Sequence, residues 1–206
     1  MFRFFKNIFN ICVILLAFVG AFTLYKNYSM NDIIDSVANW FSTDKEKIEE
    51  EVGDFSGVDS EFNIGTAVNV LGYKTVVAQH SNSGQRMIIV DSGKKTLLTE
   101  KDIQGDGVKT KLEDLSKKFK YHSASVENIE IVDKGYMNAY GQKVPYVKFN
   151  AKVSKLPNSN VSGIVSVVDS DSKNQRLIVS VNDNKHYSQL ITSEFYKSVK
   201  DSKINK

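Results

Sequence analysis

Read for hydrophobic and polar positions alone, the chain changes character twice. Residues 8–25 run for 18 positions without a charge, and only Asn10 and Thr23 are clearly polar. At about 1.5 Å per residue a helix over them covers about 27 Å, close to the roughly 30 Å of a hydrocarbon core. From 30 to 52 the pattern is amphipathic: Ile33, Ile34, Val37, Trp40 and Phe41 recur at helical spacing behind Asn31 or Ser29 as cap. Thr43 and Glu46 then form a capping-box pattern that opens a second, charged helical piece, whose charges are read as a solvated face. Beyond about residue 60 the period falls from three or four to two.

Gly53, Gly57 and polar neighbours mark a boundary at 54–60. Residues 62–71 are ambiguous, since Phe62, Val68 and Leu71 would line a helix that Gly65 and Gly72 weaken. The spacing predicts strands at 73–80 and 85–91, joined by the turn Ser81-Asn82-Ser83-Gly84. Gly105-Asp106-Gly107 leads into a helix with Val108, Leu112, Leu115 and Phe119 on one face. Ile129 and Ile131 flank Glu130; Val147, Phe149, Ala151 and Val153 alternate with Lys148, Asn150 and Lys152; Leu177, Val179 and Val181 alternate with Ile178 and Ser180. Tyr140-Gly141-Gln142 and residues 171–174 read as hairpin turns. A last helix is expected over 185–199, capped by Asp183 or Asn184, with Tyr187, Leu190, Ile191, Phe195 and Val199 facing the core. The expected fold class is α+β: an antiparallel sheet of hairpins covered by helices, preceded by one N-terminal transmembrane helix and a helical stalk. The expected divisions are a cytoplasmic end at 1–7, a transmembrane anchor at 8–25, a stalk at 26–54 and an extracytoplasmic domain at 55–206.

That order of elements, with the strings VPYVKFNA at 144–151 and RLIVSVND at 176–183, resembles the PsbP-like fold over residues 73–200. The resemblance implies a non-catalytic envelope domain. No residue here matches a binding position of that family, so no photosynthetic role follows from it.

Charge sharpens the topology. Arg3 and Lys6 precede the apolar run, and Lys26 followed by Asp32 and Asp35 lies beyond it. By the positive-inside rule the amino end stays in the cytoplasm and the body lies outside. Cleavage after Val19-Gly20-Ala21, with secretion, is the alternative. The formal charge of +3 is partly this flank, since setting Arg3 and Lys6 aside leaves 25 basic against 24 acidic side chains. Lysines interspersed with acids exclude a nucleic-acid surface. Cys12, the only cysteine, excludes an internal disulfide and places no thiol outside the membrane.

Candidate chemistry is sparse. His80, His122 and His186 have no second His or Cys at ligand spacing. Ser-x-x-Lys occurs at Ser42/Lys45, Ser92/Lys95 and Ser170/Lys173, about what 22 Ser and 24 Lys in 206 residues give by chance. Asp169, Asp171 and Asn174 lack the glycine and distal glutamate of a calcium loop, and Asp102 and Asp106 read as turn residues. Asn27 and Asn160 open glycosylation sequons. No catalytic, cofactor-binding or metal residue is assigned. The expected function is a single-pass, membrane-anchored, non-catalytic domain that binds an envelope partner. Its partners are the bilayer, through residues 8–25, and a protein met by the stalk residues Ile33, Ile34, Val37, Trp40 and Phe41 or by the domain surface. The alternatives are an envelope hydrolase with a site assembled from scattered Ser, Asp and His, and a structural subunit of a membrane complex.

Overall fold

A computed structural model describes residues 44–70, 73–117, 126–153, 160–169 and 174–202. Helix α1 (Lys45–Val52) leads into strands β1 (Phe62–Val70), β2 (Tyr73–His80) and β3 (Arg86–Asp91). Two short helices follow, α2 (Glu100–Gln104) and α3 (Val108–Lys117). Strands β4 (Val126–Ala139), β5 (Gln142–Val153), β6 (Asn160–Asp169) and β7 (Gln175–Asp183) precede the last helix, α4 (Gln189–Ser198). All seven strands form one antiparallel sheet in the order β1-β2-β3-β7-β6-β5-β4. The sheet is two meanders joined at β3 and β7, with α2 and α3 carrying the chain from its middle to its far edge.

The expected α+β architecture is therefore corrected. Among the described residues the domain is mainly β, a single continuous sheet with four short helices. The overestimate of helix has local causes. Residues 62–70, open to a helical reading, are strand β1, and Gly65 lies where its register with β2 shifts. The last helix starts at Gln189, because Ser188 accepts from Ile191 N–H, whereas Asp183 accepts from the N–H groups of Lys185 and His186 in the turn before it. Its inward stripe is Thr192, Phe195 and Tyr196, running on to Val199, and Leu190, expected in the core, is 68% exposed. The α1 cap is Asp44, and Ile48 and Val52 of its charged stretch are buried against the sheet, so this part of the expected stalk belongs to the domain. No helix among the described residues is long and apolar enough to cross a membrane. The expected transmembrane helix at 8–25 and the stalk up to residue 43 lie outside the described residues.

Each face of the sheet carries its own core. Ile88, Val90, Val147, Phe149, Val165 and Val179 pack under α2, α3 and the segment between β3 and α2. On the other face Met87, Ile89, Ile164 and Ile178 pack under α1 and α4, against Phe195 and Tyr196 of α4. Burial of side chains this size contributes about 1.5–3 kcal/mol apiece. Where the two meanders meet, Tyr196 Oη accepts from the Ile88 N–H (3.2 Å) and donates to the Val179 carbonyl (2.6 Å). Buried Gln85 holds Ser188 from both sides, accepting from its N–H (2.7 Å) and donating to its carbonyl (2.9 Å).

A candidate docking edge on β4

Strand β4 is the outer strand on one side of the sheet and, at 14 residues, the longest among the described residues. Its pairing with β5 shifts register twice, between Glu127 and Glu130 and between Ile131 and Asp133. At the second shift Val132 is the extra residue. A one-residue insertion turns every later side chain to the other face. Ile129 and Ile131 accordingly join the core under α2 and α3, whereas Met137 and Ala139 join the core under α1 and α4. Lys134 and Tyr136 take the side of α2.

From Asp133 to Ala139 the register with β5 is unbroken. The hairpin closes through Tyr140 and Gly141, with φ of 53° and 73°, the left-handed pair of a type I′ turn. A two-residue turn makes Ala139 and Gln142 a hydrogen-bonded pair. Alternation then directs the backbone groups of Met137 and Gly135 at β5 and those of Asn138, Tyr136 and Lys134 outward. Pro145, with no N–H to give, stands opposite Tyr136, as this phase requires. Residues 134, 136 and 138 thus offer donors and acceptors along an edge that no strand among the described residues pairs.

The side chains around this edge are fixed from behind. Tyr136, 47% exposed, donates its hydroxyl to Glu100 Oε1 (2.7 Å), and Lys143 Nζ lies 5.0 Å from its ring centre. The bond to Glu100 raises the Tyr136 pKa. Lys134 Nζ turns back to the Gln104 and Gly105 carbonyls (3.3 and 2.8 Å), and Gln104 Nε2 donates to the Gly135 carbonyl (2.9 Å). On the other face the Tyr146 ring covers Gly135 so closely that a Cβ there would meet it at 3.0–3.1 Å. The Tyr146 hydroxyl donates to Asp133 Oδ2 (2.6 Å), and this bond raises its pKa. Helix α2 is itself secured: Thr99 and Asp102 form a reciprocal cap, and Lys111 lies 2.8 Å from Asp102. The hydrogen bond from Lys111, then those from Thr99, hold the Asp102 carboxyl down to about 2.

His80, Ser92, Lys95, His186 and Asp169 have other partners in the fold. His80 Nδ1 accepts from the Ser83 N–H (3.2 Å) and lies 2.9 Å from Ser83 Oγ, and Nε2 faces Glu61 Oε2 at 3.2 Å. The order Ser–His–Glu is that of an acyl-transfer relay. Here, however, Ser83 Oγ also accepts from Gln85 N–H, and the His80 ring rests on Phe62, so the group fastens the β2–β3 turn to the start of β1. Ser92 Oγ donates toward the Lys95 and Gln175 carbonyls, while the Lys95 ammonium lies over the Tyr73 ring, so the two form no dyad. His186 pairs with Asp183, and Asp169 accepts from Gln175. His122, Asp171, Ser42, Ser170, Lys173, Cys12 and Asn27 lie outside the described residues. Asn160 is exposed and opens β6. No group of three His, Cys, Asp or Glu able to hold a metal occurs among the described residues.

Arg176 is the largest fully buried side chain among the described residues. Its guanidinium donates to Asp201, faces Asp91 (3.5 Å) and lies 4.6 Å from the Tyr140 ring centre. Beside it, Asp54 and Lys200 exchange backbone hydrogen bonds (2.9 and 3.1 Å), joining the segment after α1 to the one after α4. Burial, opposed by Arg176, raises the Tyr140 pKa. The group binds the two ends of the domain together.

Compared with family models and with curated proteins, the chain matches none.

Proposed function

We propose that the chain is a single-pass, membrane-anchored, non-catalytic domain that binds a protein partner on the outer side of the membrane through the edge of β4. The uncharged run at 8–25 and the basic residues before it support the anchor and its orientation, with secretion after cleavage near Ala21 as the alternative. The order of elements over 73–200 supports grouping the domain with PsbP-like envelope domains. The observation that carries the binding role is the regular stretch from Asp133 to Ala139, whose outward backbone groups and half-exposed Tyr136 form a surface prepared for an extended segment.

Photo-crosslinking residues placed at 134, 136 and 138 in the full chain test this in native membranes. Adducts are expected at these positions and not at Lys197, on the exposed side of α4. The same yield at Lys197 as on β4, or no adduct at all, would overturn the reading.

A further inference from the structure

The partner that fits this edge is a second copy of the chain, and we infer that two copies pair β4 to β4 in antiparallel fashion about Tyr136. This inference rests on the docking role of the edge. The regular stretch is bounded by the unpaired Val132 at one end and by the turn at Tyr140 at the other, and its midpoint is Tyr136. The outward-facing residues 134, 136 and 138 are symmetric about the same point. A two-fold axis at Tyr136 therefore aligns every outward donor with an outward acceptor, making about six backbone hydrogen bonds.

The side chains agree with that register. Tyr136 meets its own counterpart, Lys134 faces Asn138, Gly135 faces Met137 and Asp133 faces Ala139. No two like charges stand opposite each other, which is the usual penalty of a strand pairing with itself. Lysine commonly guards open edges, but Lys134 is drawn back onto the carbonyls that end α2. Tyr136 is already held by Glu100, so little side-chain freedom is lost when it is covered. A two-fold axis perpendicular to the sheet also keeps α1 of both copies on one face. Both chains would then approach a single membrane from the same side, where confinement raises their effective concentration.

The test is cysteine crosslinking of the full chain in membranes, with Cys12→Ser removing the native thiol. Paired residues at this geometry lie within the Cα separation a disulfide spans. Tyr136→Cys is expected to give a species of twice the chain's mass, in severalfold excess over Asn63→Cys on β1. As a check independent of Tyr136, co-expressed Lys134→Cys and Asn138→Cys chains should link to each other, and neither should link to itself. A Tyr136→Cys adduct with a different polypeptide overturns the second copy as occupant and leaves the docking edge standing. Equal yields at 136 and 63 overturn the pairing, and photo-crosslinking that leaves no adduct anywhere on β4 removes the docking edge as well.

Discussion

β1 and β4 hold equivalent places in the topology, each the outer strand of one meander, yet their edges are finished differently. β1 lies beside α1, and Lys45 Nζ donates to the Ile64 carbonyl (3.1 Å) where the strand's register shifts, so a cation already occupies an acceptor there. β4 has its register shifts confined to the half before Asp133, and the half after it is regular in register and supported from behind by α2. On the proposed docking role, exposed backbone alone would not make an edge adhesive. What differs is whether a regular run of outward groups is interrupted by a charge or held open by neighbouring side chains.

Substitutions rank the supports of this difference. The largest effect is expected from Gly135→Val, which drives the Tyr146 ring off the strand and breaks its bond to Asp133. A loss of about 1–3 kcal/mol should appear as a lower urea midpoint, whereas Asn63→Val on β1 should stay within about 0.5 kcal/mol. Next comes Asp102→Ala, which removes the acceptor of the reciprocal cap of α2 and its contact with Lys111 at a cost of about 0.5–1.5 kcal/mol, and loosens the carbonyls that hold Lys134. Because the carboxyl pKa is depressed from 3.8 to about 2, its contribution is complete above about pH 4 and disappears as pH falls through about 2. Protection of the amides of 99–105, measured against their intrinsic exchange rates, should fall across that window in the native chain, and in the Ala variant should already be reduced at neutral pH. The smallest effect on stability belongs to Lys45→Met, within about 0.5 kcal/mol. Its effect should show instead as a higher crosslinking yield at Asn63→Cys, since the Ile64 carbonyl is then free.

Much of the sheet was legible in the sequence, and the omissions have physical causes. β2, β3, β5 and β7 follow the alternation or apolar runs at 73–80, 85–91, 147–153 and 177–181, because packing on each face selects the side chains. β6 was implied only by the hairpin turn expected at 171–174: eight successive residues, Val161 to Val168, are buried, and Ser162, Gly163 and Ser166 interrupt the apolar run that would mark it. The docking edge was not legible either. Ile129, Ile131, Met137 and Ala139 are all odd-numbered and read as one face, and only the inserted Val132 divides them between two. α2 is a five-residue helix whose one buried residue, Ile103, leaves no periodicity to detect. The bond from Tyr136 to Glu100 spans 36 positions and has no local signature.

The exchange between Asp54 and Lys200 also has a mechanical meaning. Under the proposed membrane tether at the amino end, tension would enter at α1, and the next structure along the load path is this two-bond bridge, with Arg176 and Asp201 beside it. Gly53 lets the segments come this close, because a Cβ there would already lie 3.0 Å from Val199 and 3.2 Å from the Lys200 carbonyl. Tension entering there would be shared with the segment after α4 before it reached β1, which would shield the sheet from being peeled strand by strand.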